Sequence, residues 1–288
     1  MTAPSADHAS MSIPVAPTLP QLASCEAATP APLPKADVLG VDVTVAGCSE
    51  VVATVLELGA KRSSAIVDFM NVHVLTTARQ RADYAAALAR FDILACDGQP
   101  IRWALNRMHG ANIRERVYGP VIMLRICQEA ARLGISIYLY GGKPETLRRL
   151  QQRLGELAPG LQIAGAESPP FRPLSEDEHA AVNQRINDSG AGLVFIGLGC
   201  PKQELFAAQH RDAIRGVQLC VGAAFDFHAG TVRMAPRWMQ NAGLEWAFRF
   251  CCEPRRLWKR YLLGNAHFVG LWLKYAAGFP IRRAAAAN

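Results

Sequence analysis

Short apolar runs alternate with longer stretches of helical periodicity from Val38 onward. Five of the runs are short enough and apolar enough to predict buried strands. They cover residues 64–69, 93–96, 135–140, 192–197 and 217–221. Helices are predicted between them, for example through Leu75 to Phe91, over 120–133 and over 144–157. This alternation is typical of an α/β fold, a Rossmann-like, mostly parallel sheet with helices on both faces.

The pattern changes beyond about Val232, where basic and aromatic side chains are interleaved. Arginine next to tryptophan and tyrosine suits nucleic-acid binding by phosphate contact and stacking. It equally suits an amphipathic surface on an anionic bilayer, and a packed helix pair with a solvated basic face has the same composition. Because no recognised nucleic-acid module occurs, we favour the membrane surface and expect no nucleic-acid partner.

These patterns predict three parts. Residues 1–34 are rich in Ala, Pro, Ser and Thr and are predicted to be a disordered leader. Residues 35–231 form the α/β catalytic domain, and residues 232–288 form a helical appendage that associates with the membrane. The first residues lack a basic and apolar signal segment, so we expect a cytoplasmic protein. Residues 261–280 are apolar but interrupted by polar side chains, which favours lying on a membrane over crossing it.

Length and charge narrow the class of partner. The chain has 288 residues, half of them hydrophobic, and a formal net charge of +7. Such a charge favours an anionic partner, whether nucleic acid, acidic lipid or a phosphorylated substrate. The sequence is compatible with a homo-oligomer.

Polar or glycine residues follow each predicted strand, and ligands of open parallel sheets bind at those carboxyl ends. We therefore expect Asn71, Asp97, Gly141, Gln203 and Asp226 to surround one site. Asp97 is the candidate general base for a hydroxyl nucleophile. An ordinary turn explains the Asp97-Gly98 pair as well.

Two loops offer binding groups. Gly141-Gly142 stands between a strand and a helix, where backbone amides can approach a diphosphate, although a plain tight turn has the same sequence. The loop at 197–204 holds Lys202, Gln203 and Glu204 at a helix start, where they are placed to hydrogen-bond a sugar or a base. A capped turn with solvent-facing side chains is the alternative.

Signatures of other site classes are missing from the sequence. There is no GxGxxG fingerprint and no Walker motif, which disfavours dinucleotide redox chemistry and ATP hydrolysis. No HExxH, clustered Cys/His set or Asp-x-Asp motif is present, so we expect no metal and no cofactor. His73 and His228 lie near the expected site, and a structural role explains each equally well.

Seven segments together resemble the WecG/TagA/CpsF family of bacterial glycosyltransferases, over about Val38 to Tyr261. The segments are Asn71-Val-His-Val, Asp97-Gly98, Leu139-Tyr-Gly-Gly142, Gly197-Leu-Gly-Cys-Pro-Lys-Gln-Glu204, Gly222-Ala-Ala-Phe-Asp-Phe-His-Ala-Gly230, Arg233-Met-Ala-Pro-Arg-Trp238, and Gly243-Leu-Glu-Trp246 with Arg249 and Glu253-Pro-Arg-Arg256.

The resemblance implies an inverting, metal-independent transferase that moves a sugar from a UDP-sugar donor to an undecaprenyl-diphosphate-linked saccharide. Such an enzyme would act at the inner face of the plasma membrane in cell-surface polysaccharide or exopolysaccharide biosynthesis. By the same resemblance, Asp97 would deprotonate the acceptor hydroxyl. Asn71, Gln203 and the Gly141-Gly142 turn would contact donor or acceptor.

The resemblance also implies a role for the arginines of the appendage. Arg233, Arg237 and Arg256 would supply the positive charge that a departing UDP needs when no metal is present.

Three positions depart from the usual family pattern: Phe69 replaces a threonine, Gln99-Pro100-Ile101 follows Asp97, and Gly119-Pro120-Val121 replaces Gly-Ser/Thr-Asp. These changes bear most on substrate identity. Glucose and N-acetylmannosamine, or its uronic acid, are the sugars we expect.

Overall fold

One mixed sheet forms the centre of the protein in the computed structural model, which describes residues 30–284, without the side chains of Arg237 and Asn241. Within those residues the sheet has eight strands in the order β1-β2-β4-β3-β8-β7-β5-β6. The strands are β1 (Lys35–Val38), β2 (Val41–Thr44), β3 (Ala65–Met70), β4 (Ile93–Cys96), β5 (Ile137–Gly141), β6 (Ile163–Glu167), β7 (Leu193–Gly197) and β8 (Val217–Cys220).

Twelve helices are described with the sheet. They are α1 (Cys48–Ala60), α2 (Val72–Gln80), α3 (Ala82–Ala89), α4 (Gln99–His109), α5 (Gly119–Leu133), α6 (Pro144–Leu157), α7 (Glu176–Asp188), α8 (Lys202–His210), α9 (Ala224–His228), α10 (Arg237–Asn241), α11 (Glu245–Cys252) and α12 (Pro254–Ala276).

Only the β1–β2 pair is antiparallel, and every other strand pairing is parallel. The α/β fold class expected from the sequence is therefore confirmed. The strand order reverses at β3, because the next strand in sequence, β4, lies on one side of it and the last strand, β8, lies on the other. A parallel sheet has its ligand crevice at such a reversal of strand order.

Two apolar cores cover the two faces of the sheet, since successive residues of a strand point to opposite sides. Along β3, Ile66 and Met70 belong to the core beneath α2, α3, α4 and α8. Val67 and Phe69 belong to the core beneath α1, α5, α6 and α9. All six residues of β3 are buried, so the strand that carries the site is fixed on both faces.

Local sequence signals start several helices close to the strand ends. Asn71 caps α2, because its Oδ1 accepts hydrogen bonds from the amides of His73 and Val74 at 3.0 and 3.3 Å. Proline occupies the first turn of α4, α5, α6 and α12. Of these helices, α2, α4 and α6 begin within three residues of the end of the preceding strand.

The structure differs from the predicted elements in three places. The helix predicted through Phe91 is divided, because Arg81 is extended, with φ −129°, and α3 starts anew with Asp83 paired to Arg81. The antiparallel β1–β2 edge and the strand β6 were not predicted. The leader predicted over residues 1–34 lies almost wholly outside the described residues and stays a prediction.

The C-terminal residues are helical, as α10 to α12, but they are not separate from the core. Leu271 is buried, and Phe268 and Trp272 pack against the core beneath α2. The amide of Ala284 donates to the carbonyl of Gly40 at 2.9 Å. The far end of α12 is therefore anchored, while α11 and the start of α12 lie over the carboxyl ends of the strands.

Candidate active site

A cavity of about 1040 Å³ lies at the carboxyl ends of β3, β4, β7 and β8. Residues at the strand ends line one side of it, and side chains of α11 and α12 line the other. Five of the predicted substrate-contacting residues line this cavity together with the candidate base. The six are Asn71, His73, Asp97, Gln203, Glu204 and Asp226.

Asp97 follows β4 directly and is nearly enclosed, with 15% of its side chain exposed. Burial raises the pKa of Asp97 to about 7. The positive charge of Arg116 and a hydrogen bond from the amide of Gly119 oppose that rise, and the negative charge of Glu245 adds to it. A carboxyl group with a pKa near neutrality has the proton affinity that a general base requires.

Arg116, in the loop before α5, lies between Asp97 and the C-terminal appendage (residues 232–288). Its Nη2 is 2.7 Å from Oε2 of Glu245, and its Nη1 is 3.9 Å from Oδ1 of Asp97. The hydroxyl of Tyr118 donates to the same carboxylate of Glu245 at 2.6 Å. One residue of α11 thus joins two residues of the α/β domain at the rim of the site.

Two more carboxyl groups, those of Asp68 and Glu204, line the cavity. Asp68 on β3 and Glu204 on α8 are both fully buried. Burial raises the pKa of each, and for Asp68 the negative charge of Glu204 adds to the rise. Gln203 donates from Nε2 to Glu204 Oε1 at 3.1 Å and accepts from the amide of Gly199 at 3.1 Å. Both ends of the Gln203 amide are therefore engaged by the protein.

Asn71 and His73 lie at the cavity mouth on the first turn of α2. The Oδ1 of Asn71 is used to cap α2, so Nδ2 is the polar side-chain atom of Asn71 that takes no part in the cap. Burial lowers the pKa of His73 to about 4, and the positive charge of Arg260 lowers it further. His73 is thus a neutral imidazole at physiological pH.

Two arginines of the appendage line the cavity without an anionic partner. Within residues 30–284, neither Arg249 nor Arg260 forms an ion pair, and the Nε of each is buried without a hydrogen bond. Burial lowers the pKa of Arg260. A cation removed from water is costly unless an anion meets it. These two side chains are therefore set to receive a negatively charged ligand.

Arg256 also lines the cavity but pairs with Glu253 at 2.5 Å. Of the other arginines expected at the site, Arg233 is exposed and outside the cavity lining, and the side chain of Arg237 lies outside the described part of the chain. Lys202 is exposed at the start of α8 and likewise does not line the cavity.

The Gly141-Gly142 turn is placed beside β7 rather than in the cavity lining. A Cβ on Gly141 would come within 2.6 Å of the backbone of Gly197, and one on Gly142 would touch Phe225. The amide of Gly142 donates to the carbonyl of Gly197 at 3.1 Å. Close packing against β7 accounts for Gly141, and a φ of +72° accounts for the glycine at 142.

Sequence reasoning did not single out several lining residues as site residues. They are Asp68, Arg116, Tyr118, Glu245, Arg249 and Arg260. A charged residue inside the apolar run of β3 was a usable signal for Asp68, because unpaired carboxyl groups are seldom buried. The others reach the cavity only through the docking of a loop or of the appendage, which no local pattern encodes.

No helix within residues 30–284 is both long and apolar enough to span a bilayer. No group of three or more His, Cys, Asp or Glu side chains is arranged to hold a metal ion in that part of the chain.

A large cavity at a strand-order reversal, a buried carboxyl group of raised pKa and arginines without an ion pair are features of an enzyme with an α/β fold. Residues 36–280 match the model of the Glycosyl transferase WecG/TagA/CpsF family. The chain belongs to that family of glycosyltransferases, which implies activity in the synthesis of cell-surface polysaccharides. The resemblance read from the sequence motifs is confirmed.

Proposed function

We propose that this protein is an inverting, metal-independent glycosyltransferase that uses a UDP-sugar. The sugar is a hexose or an N-acetylhexosamine, with glucose or N-acetylmannosamine as the expected types. The acceptor is a saccharide linked to undecaprenyl diphosphate, presented at the cytoplasmic face of the plasma membrane. The product would enter exopolysaccharide or another cell-surface polysaccharide.

The observation that carries this proposal is the meeting of Asp97 with unpaired arginines in one cavity. The α/β domain supplies the carboxyl group, and the appendage supplies Arg249 and Arg260. Sugar transfer from a nucleotide diphosphate needs both kinds of group. One accepts a proton from the attacking hydroxyl, and the other stabilises the charge that develops on the departing diphosphate.

In the proposed reaction, the carboxylate of Asp97 takes the proton of the acceptor hydroxyl. The hydroxyl oxygen forms a bond to the anomeric carbon of the donor sugar. The bond from that carbon to the β-phosphate oxygen breaks, and its electron pair leaves with UDP. A single displacement of this kind inverts the anomeric configuration.

The arginines would take the place that a divalent cation has in other sugar transferases. Guanidinium groups form bidentate hydrogen bonds with phosphate oxygens. Arg249 and Arg260 form no ion pair within residues 30–284, and Arg256 lines the same cavity. Of the groups expected from the sequence, Asn71 and Asp226 are the ones we propose as contacts to the sugar and the nucleoside.

The outer face of the appendage supports attachment to a membrane. Leu262 and Leu263 are 66% and 60% exposed, and Trp238 and Trp258 are exposed as well. Basic residues alternate with these side chains, as in helices that lie at an anionic interface. We propose that this face lies on the bilayer that holds the acceptor.

The proposal is tested by a purified assay. UDP-sugars are first screened for protection against thermal unfolding, and those that protect are combined with a polyprenyl-diphosphate-linked saccharide in EDTA. Release of UDP in EDTA, with an inverted glycosidic bond in the product, is the expected result. No turnover with any common UDP-hexose or UDP-N-acetylhexosamine would contradict it.

A further inference from the structure

Glu245 is the first residue of α11, yet its side chain is directed into the rim of the cavity, with 13% exposed. Its carboxylate accepts hydrogen bonds from Arg116 Nη2 at 2.7 Å and from the hydroxyl of Tyr118 at 2.6 Å. Both donors belong to the loop that leads into α5. Glu245 is therefore the acid that holds the start of α11 to the α/β domain.

The guanidinium of Arg116 is held in one place by three contacts. It lies 4.1 Å above the centre of the Tyr118 ring and 2.7 Å from Glu245, but its nearest approach to Asp97 is 3.9 Å. The short, hydrogen-bonded partner is thus Glu245, and Asp97 is met only at the outer limit of an ion pair. Charge-assisted hydrogen bonds of the short kind are about twice as strong as neutral ones.

The unequal distances of Arg116 from Glu245 and Asp97 bear on the pKa of Asp97, the proposed base. An arginine that binds a carboxylate directly lowers its pKa by roughly 1–3 units and so weakens it as a proton acceptor. Arg116 has the reach to do that to Asp97. Glu245 engages the guanidinium from the opposite side.

Several charged or titratable groups face Asp97, and each must be counted in any pH dependence. They are Asp68 of β3, Arg116 and Tyr118 of the loop that leads into α5, and Glu245 and Arg249 of α11. Among them, Arg116 is the cation that contacts both Asp97 and a competing carboxylate.

We infer that Glu245 is a positioning residue that draws Arg116 away from Asp97 and thereby keeps Asp97 basic enough to deprotonate the acceptor. The inference rests on the proposed role of Asp97 and adds a residue of the appendage to it. The basicity of Asp97 then depends on α11 being docked against the core. Glu245 itself does not contact the reacting atoms.

The test follows the titration of Asp97 directly. The ¹³C carboxyl signals of aspartate-labelled protein are recorded against pH, and the spectrum of Asp97→Asn identifies the signal of Asp97. In Glu245→Gln, which keeps the shape of the side chain, we expect the pKa of Asp97 to fall by about one unit or more. In Arg116→Gln we expect it to rise. The acid limb of the kcat/KM profile should move in the same directions.

A double variant isolates the route of the effect. If Glu245 acts through Arg116, the shift caused by Glu245→Gln should shrink to less than a third of its size when Arg116 is already glutamine. Tyr118→Phe is the matched control, because it removes the other hydrogen bond of Glu245 but keeps the ring beneath Arg116. It should leave α11 docked through the Arg116–Glu245 pair and should leave the pKa of Asp97 as it is in the wild type.

An unchanged pKa in Glu245→Gln would overturn the inference, and so would an equal shift in both backgrounds. Equal shifts in Glu245→Gln and Tyr118→Phe would assign Glu245 a purely structural role and overturn it as well. Failure of the proposed function is a separate outcome. It would show as full turnover in Asp97→Asn, whatever the carboxyl titration reports.

Discussion

The α/β domain and the C-terminal appendage contribute to the same cavity but differ in how many of their residues are buried. Every residue of β3 is buried, and the strands end at fixed positions beneath packed helices. In contrast, no residue of α11 is buried, and only Leu257, Gly264 and Leu271 of the 23 residues of α12 are. Packing within the α/β domain fixes the positions of its side chains. The appendage, in contrast, has exposed apolar side chains that are available to another partner.

The difference supports the division of chemistry that we propose. A base needs a fixed position, and the proposed base Asp97 lies at the end of the buried strand β4. The proposed diphosphate-binding residues Arg249 and Arg260 lie on helices that also carry exposed apolar side chains. Point substitutions separate these roles better than truncation, because removing α12 would uncover the core that Phe268 and Leu271 cover.

The largest effect is expected from Asp97→Asn on turnover. Asparagine keeps the size of the side chain but cannot accept the proton, so we expect the rate of UDP release to fall by about 10²–10⁴-fold. The measurement is UDP release under saturating donor and acceptor. A variant that keeps more than a tenth of the wild-type rate would remove Asp97 as the base.

The same substitution should stabilise the fold. The folded protein raises the pKa of Asp97 from 3.8 to about 7 and so favours the protonated carboxyl group. The contribution of this protonation to the free energy of unfolding is lost as the pH rises through 7. We expect Asp97→Asn to be more stable than the wild type by about 2–4 kcal/mol at pH 8, with little difference near pH 4. Denaturant unfolding at both pH values measures this.

Asp212→Asn is the control for that comparison, since its carboxylate is exposed and pairs with Arg90 on the surface. Asp68 and Glu204 also have raised pKa values and His73 has a lowered one, so the stability of every variant should depend on pH. The test is therefore the difference between wild type and Asp97→Asn. An equal dependence on pH in both would contradict the buried environment assigned to Asp97.

A smaller effect is expected at the outer face of the appendage. Replacing both Leu262 and Leu263 with serine removes exposed apolar surface, which should weaken binding to anionic vesicles by about tenfold or more. Sedimentation with vesicles containing phosphatidylglycerol measures the change. Leu133→Ser, an exposed leucine of α5 in the α/β domain, is the matched control and should bind as the wild type does. Equal binding by all three proteins would exclude this face as the attachment surface.

Much of the core was predictable from the sequence because its strands are short, apolar and followed by polar turns. The strand at 93–96 and the helix at 144–157 have the predicted bounds. The strand β6, Ile163-Ala-Gly-Ala-Glu167, was missed since its small residues and half-buried positions give little hydrophobic signal. The break at Arg81 was missed because the alanine-rich run beyond it has uniform helical propensity.

Residues of the site were predictable from the sequence where they come directly after a strand. Asn71 and Asp97 lie at the cavity because the residue after a parallel strand has little freedom of position. Gly141 is the last residue of β5 and is paired with β7, so the backbone of Gly197 takes the space beside it. Arg116, Glu245 and Arg260 needed the docked tertiary structure, since a loop and two helices distant in sequence bring them together.

We propose above all that the appendage supplies the charge that binds the donor diphosphate and that the α/β domain supplies the base. Calorimetric titration of UDP in EDTA, without membranes, tests it most directly. Arg260→Gln should weaken UDP binding by about 10- to 100-fold. Arg255→Gln, an exposed neighbour on α12 outside the cavity lining, should not, and Asp97→Asn should bind UDP at least as tightly as the wild type. Wild-type affinity in Arg260→Gln, or an equal loss in Arg255→Gln, would contradict the account.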